Sequence, residues 1–295
     1  MKKLSFPICL IVIVALSAFT SDNEYKIDIN SAVKTGMVQV KINGKGGHSG
    51  ACVSVHVENL KNKNIRIFFP PGQRLNSVVD AEQDLLIVKE QEVILASKEK
   101  KNADIRAFCC QSSNLSPANQ SKFTLGKKAD ENLVKLAEYI NKRIIPEPVI
   151  QEAVWSVSNN NPVSNVSLDY TNPILAKMKN NVDELRKFVC TLTKQEDVWY
   201  STPQNRVVNQ RRQIVSNPVE VFGSIKYKVK EKSKIHSELI NPQGQIVFQR
   251  DGDIELSPGN WDYDFNLKVI GYPPGEYTVK LIAKGELLME KKFVI

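Results

Sequence analysis

A mixed, β-rich fold is expected: an N-terminal β-sandwich with a helical subdomain, followed by a second, C-terminal β-sandwich. Three observations predict it. Short runs with period-2 alternation fill residues 22–110, 3.6-period apolar faces appear between 111 and 200, and alternation returns from 219 to the end. The length of 295 residues suits two or three domains. With 42% hydrophobic and 24% charged residues, the composition is that of an ordinary globular chain.

The first element expected is a signal peptide, residues 1–21. Lys2 and Lys3 precede the short apolar run "FPICLIVIVALSAF", and small or polar residues follow near Ala18–Ser21. Cys9 lies inside that run, not at its end. Removing the segment lowers the formal charge from +8 to about +6. No second apolar run is long enough to span a membrane, so no stable span is expected after signal removal. The expected location is secreted or at the cell surface.

In the sandwich segment, "MVQVKI", "ACVSVHVENL", "IRIFFPPGQRL", "DLLIVKEQEVILAS" and "ADIRAFCC" read as strands. The turn signals "NGKGG", "NLKNKN" and "PPGQ" separate them. Then the period changes. "ADENLVKLAEYINKRI" sets Leu133, Leu136, Ala137 and Ile140 on one helical face. "PEPVIQEAVWSVS" begins a second helix with Pro146 and Pro148 near its first turn. "NPILAKMKNNVDELRKFVCTLT" reads as a third helical region. Residues 201–218 are polar without a sustained period and read as a linker. Residues 219–295 carry about seven strand-like runs separated by turns such as "NPQGQ" and "AKGEL", the pattern of an immunoglobulin-like sandwich.

Several chemistries lack their residues. Basic residues are scattered and not interleaved with aromatics, so nucleic acid is not an expected partner. The three histidines, His48, His56 and His236, form no metal-binding spacing, and neither a metal nor another cofactor is expected. "GGHSGAC" (46–52) approaches the G-x-S-x-G turn of hydrolases, but Ala51 replaces the last glycine and no strand–turn–helix context surrounds it. No residue set points to an enzyme.

Cysteine and glutamine carry the remaining chemistry. Without the signal, four cysteines are left: Cys52, Cys109, Cys110 and Cys190. In an exported chain they permit two disulfides, with Cys52 and Cys190 as partners for the adjacent pair, although sequence does not fix the pairing. "VIQEAVW" (149–155) resembles the Q-x-A-hydrophobic-W motif of bacterial thioester domains, and "AFCCQSSNLSPAN" (107–119) resembles their cysteine motif, with Phe108 before the thiol and Pro117 after it. The resemblance covers about residues 100–160. It implies a surface-adhesin module in which Cys109 or Cys110 bonds to Gln151 with loss of ammonia. Cys109 is favoured because it directly follows the aromatic. Two departures stand out: Ile150 replaces the family's frequent threonine, and the cysteine is doubled. Trp155, one helical turn beyond Gln151, is placed to shelter the bond from water.

The last segment has its own likeness. "ELINPQGQIVF" and "PPGEYTVKLIAKGELLMEKKFVI" resemble Ig-like domains related to the flagellar hook-cap protein and the C-terminal sorting domains of type IX secretion. The likeness implies engagement with outer-membrane secretion machinery. Together these readings predict a secreted or cell-surface adhesion protein that captures a protein or glycan on a cell surface. The alternative is a non-catalytic structural or accessory envelope protein stabilised by disulfides.

Overall fold

The computed structural model describes residues 25–168 and 173–295, so the expected signal peptide lies outside the described residues. The described chain begins with β1 (Tyr25–Asp28) and a short helix, α1 (Ile29–Lys34). Asp28 caps that helix by accepting from the Ser31 N–H at 3.0 Å. Strands β2 (Val38–Lys45), β3 (Ser49–Asn59), β4 (Ile65–Phe69), β5 (Gln73–Ser77), β6 (Leu85–Leu86), β7 (Gln91–Leu95), β8 (Lys100–Cys109) and β9 (Asn119–Lys128) follow.

The expected N-terminal sandwich is instead a closed barrel, in the order β2-β3-β8-β6-β5-β9. Strand β9 decides this. It lies beyond residue 110, in the segment expected to be helical, and pairs with β2 (Ile42↔Phe123) and with β5 (Leu75↔Leu125). One strand thereby seals both open edges, which a sandwich would leave unpaired. The alternation in β3 turns Val53, Val55 and Val57 into the barrel, each fully buried. A smaller sheet, β1-β4-β7, covers one side and shares the barrel core.

Three longer or shorter helices complete this unit as expected, with a fourth short one between them. In α2 (Glu131–Asn141), Asp130 caps the Leu133 N–H at 3.1 Å, and Leu133, Leu136, Ala137 and Ile140 are all buried. Helix α3 (Glu147–Asn159) starts at Pro146, with Pro148 in its first turn, where a missing N–H costs nothing. The third helical region divides into α4 (Pro173–Ala176) and α5 (Lys179–Thr193). Helices α2, α3 and α5 enclose a second core against the outer wall of the barrel, where Leu86, Phe108 and Cys110 meet them. From α3, Trp155 packs instead with the barrel core.

The C-terminal part has a third core between two sheets, β10-β13-β16 and β15-β14-β17-β18. Its strands are β10 (Tyr200–Ser201), β13 (Glu220–Val229), β14 (His236–Ile240), β15 (Ile246–Asp251), β16 (Gly259–Lys268), β17 (Glu276–Ala283) and β18 (Glu286–Val294); the intervening β11 (Gln204–Val208) and β12 (Ile214–Pro218) lie elsewhere. The turns read from "NPQGQ" and "AKGEL" do join strands, with Gly244 at φ 79 and Gly285 at φ 81, backbone that glycine adopts without strain.

The expected linker is not one. β11 and β12 form a hairpin (Gln204↔Pro218, Val208↔Ile214) that packs back on the N-terminal unit. Ile214 touches the barrel core, and the Arg212 carbonyl accepts from the Ser116 N–H at 2.8 Å. The segment lacked an apolar period because polar and ionic contacts fasten it: Arg206 pairs with Glu152, and Arg212 with Glu82.

Candidate functional site

Cys109 ends β8, between β3 and β6 in the barrel wall. Gln151 stands on the first turns of α3, which crosses that end of the strand. The two meet through a reciprocal pair of hydrogen bonds. The Cys109 N–H donates to Gln151 Oε1 at 3.0 Å, and Gln151 Nε2 donates to the Cys109 carbonyl at 2.9 Å. The glutamine amide therefore lies along the backbone of the cysteine as a neighbouring strand would. Both residues are buried, Gln151 at 2% exposure and Cys109 at 0%.

This arrangement separates the two adjacent cysteines. Cys109 belongs to the barrel core and Cys110 to the helical core, the opposite facing expected of neighbours in a strand. Gln151 bonds the backbone of Cys109. Burial pushes the Cys109 thiol well above its ordinary value, with Cys52 and Cys110 adding to the effect. Burial also pushes Cys52 to about 11 and Cys110 to about 12. The thiols are neutral, which suits a dry site but leaves Cys109 needing a base before it attacks.

All four cysteines among the described residues are free, so the disulfides weighed for Cys52 and Cys190 are not formed in this structure. Cys52 shares the barrel core with Cys109 and donates to the Ala107 carbonyl at 3.4 Å, and Cys190 on α5 packs against the helical core that holds Cys110.

Trp155 is fully buried one turn beyond Gln151. Its Nε1–H donates to Gln83 Oε1 at 3.3 Å, and His48 stacks on it with centroids 5.8 Å apart and planes at 19°. The Arg206 guanidinium of β11 lies 4.8 Å from the Trp155 ring centroid, within cation–π range. Arg206 Nη2 also donates to Glu152 Oε2 at 2.6 Å, alongside a second bond from Nε to Oε1. Burial raises the Glu152 carboxyl above its ordinary value, and Arg206 offsets part of that rise.

Beside Gln151 opens a cavity of about 380 Å³ lined by His48, Gln151, Glu152, Asn165, Ser167 and Arg206, among others. The Ser167 hydroxyl is buried with no hydrogen-bond partner. A larger groove of about 580 Å³ lies away from these residues, between α5 and the C-terminal sheets, where Arg186 pairs with Asp197 at 2.8 Å.

The motif reading named Cys109, Cys110, Gln151 and Trp155; the fold brings Gln151 onto Cys109 and packs Trp155 in the same core as Cys109, while Cys110 faces the helical core. The motif reading missed His48, Gln83, Glu152 and Arg206. The only sequence signal for His48 was its place in the glycine-rich "GGHSGAC" loop, and Arg206 lay in the supposed linker. Among the described residues no cluster of three or more His, Cys, Asp or Glu could hold a metal ion, and no helix is long and apolar enough to cross a membrane. No protein-family model matches the chain, and no curated protein matches it.

Proposed function

We propose that the chain is a secreted or cell-surface binding protein that captures a partner covalently through a Cys109–Gln151 thioester. The observation that carries this reading is the reciprocal pair of hydrogen bonds holding the Gln151 amide on the Cys109 backbone. A helix holds the amide on the backbone of the residue that carries the thiol, and fixed proximity is what supplies much of the rate of an acyl transfer. The Cys109 N–H already points at Gln151 Oε1, the oxygen on which negative charge develops when sulfur attacks.

The chemistry balances simply. Cys109 Sγ bonds to the Gln151 side-chain carbonyl carbon, the C–N bond breaks, and the nitrogen leaves as ammonia with the thiol proton. An incoming amine or hydroxyl on a cell-surface protein or glycan then takes the acyl group and returns a free thiol. In this reading the C-terminal sandwich is an Ig-like domain of the sorting type, engaging outer-membrane secretion machinery.

One observation favours a second reading. The same two hydrogen bonds satisfy backbone groups at the end of a buried strand, a structural task that needs no reaction. Under it the protein is a non-catalytic accessory protein of the envelope.

Intact mass of the mature protein, taken without reductant before and after methylamine, separates the two. A mass short by one ammonia, with methylamine then added at Gln151, is the expected result. An unreduced mass with no deficit and no uptake leaves Gln151 as a structural plug.

A further inference from the structure

We propose that His48 is the proton carrier for acyl transfer at Gln151, working from the cavity through which the partner's nucleophile arrives. This inference rests on the thioester reading. Three features place His48. Its carbonyl accepts from the Cys109 N–H at 3.0 Å, so the residue is pinned to the backbone that carries the thiol. Its ring stacks on Trp155, one turn beyond Gln151. Its side chain shares the lining of the 380 Å³ cavity with Gln151.

The other titratable side chains lining that cavity are already committed. Glu152 accepts two hydrogen bonds from Arg206, and an arginine does not release its proton. His48 is the lining group left to exchange one. The unpartnered Ser167 hydroxyl on the same wall is a ready hydrogen-bonding contact for an arriving polar group.

The charged side chains that share the cavity with the ring are Arg206 from β11 and Glu152 from α3, and Cys109 of β8 meets the residue through its backbone N–H. Glu147, also on α3, turns instead to Arg106, whose Nε donates to its Oε1 at 2.6 Å. Burial, with Arg206 adding, holds the imidazole below its ordinary value, so the ring is an unprotonated base at neutral pH.

During closure the Cys109 thiol proton passes to His48, the S–C bond forms, the C–N bond breaks, and His48 returns the proton to the departing ammonia. In capture the N–C bond forms, the C–S bond breaks, and the proton released by the amine passes through His48 to the Cys109 sulfur. Both steps leave His48 neutral.

The test uses the full mature chain and methoxyamine, a weakly basic amine that stays unprotonated across the range. Intact mass first establishes the ammonia deficit, and uptake at Gln151 is then timed from about pH 5 to about pH 8. Wild-type uptake is expected to hold through neutral pH and to fall toward the acid end of the range, below the ordinary imidazole value of about 6.5, because the ring's own value is lowered. His48→Gln is expected to slow uptake on the order of 100-fold and to lose that pH dependence. A wild type without the deficit fails the thioester reading itself. A wild type with the deficit but a flat profile overturns the role of His48 and leaves the thioester standing. That profile decides the matter even where His48→Gln does not close or fold. A folded, closed His48→Gln that labels at the wild-type rate overturns it equally.

Discussion

Gln151 shows how one side chain does the work of a missing strand. Its amide donates to the Cys109 carbonyl and shares the Cys109 N–H with the His48 carbonyl at a buried strand end, where an unpaired group costs about 1–3 kcal/mol. Gln151→Ala is therefore expected to destabilise the fold by about that amount, because the Cys109 carbonyl loses its donor. Cys109→Ala keeps both backbone groups and is expected to cost less; urea melts of the two variants give the comparison. Equal losses would mean that the amide–backbone pairing contributes nothing beyond side-chain packing. At this scale the sequence was informative where chemistry clusters in a short motif. Gln151 and Trp155 were legible because they share a helix at i, i+4, and Cys109 because it follows an aromatic. His48 and Arg206 were not, because they reach Trp155 from segments about a hundred residues away on one side and fifty on the other, and no local period encodes that meeting.

The hairpin β11–β12 was the least legible element. Its residues are largely exposed, and only Ile214 reaches a core, so the hydrophobic pattern that identifies half-buried strands was missing. Ion pairs fasten it, and pairs with buried partners depend on both members. Arg206→Met leaves the Glu152 carboxylate buried without its counter-charge, a change of the kind that costs about 3–5 kcal/mol. We expect faster amide hydrogen exchange across residues 204–218 in that variant, read by mass spectrometry, with the C-terminal sheets unchanged. Unaltered exchange in the hairpin would show that Arg212 and Ile214 hold it without Arg206. Strand β9 escaped notice for a related reason. In "NQSKFTLGKK" only Phe123 and Leu125 face inward among polar residues, and pairing with two distant strands makes it a strand.

Across the whole molecule, the β-rich character and the order of strand-rich and helical stretches were more legible than their borders. Alternation and helical period located the β, α and β regions, but the closing strand of the barrel and the start of the C-terminal unit fell outside the expected limits. Trp199 and Tyr200 precede the hairpin yet pack with Phe265 and Phe293 in the C-terminal core. The Tyr200 hydroxyl accepts from the Val294 N–H at 3.2 Å. A fragment spanning 198–295 is expected to melt cooperatively by circular dichroism, and one spanning 219–295 at a lower temperature because it lacks those rings. Identical melting temperatures would remove the N-terminal aromatic pair from that core's stability.

The route of the chain has a mechanical consequence. It leaves α5, contributes β10 to the C-terminal sheets, returns to the barrel as the hairpin, and leaves again as β13. Both legs of the hairpin thus run into the C-terminal unit, while its tip is anchored by Arg212 on Glu82. Tension on the C-terminal unit peels the hairpin from its open end toward its tip, rupturing its attachments in sequence. Arg206, near the open end, lets go before Arg212, so load uncovers Trp155 before it frees the hairpin tip.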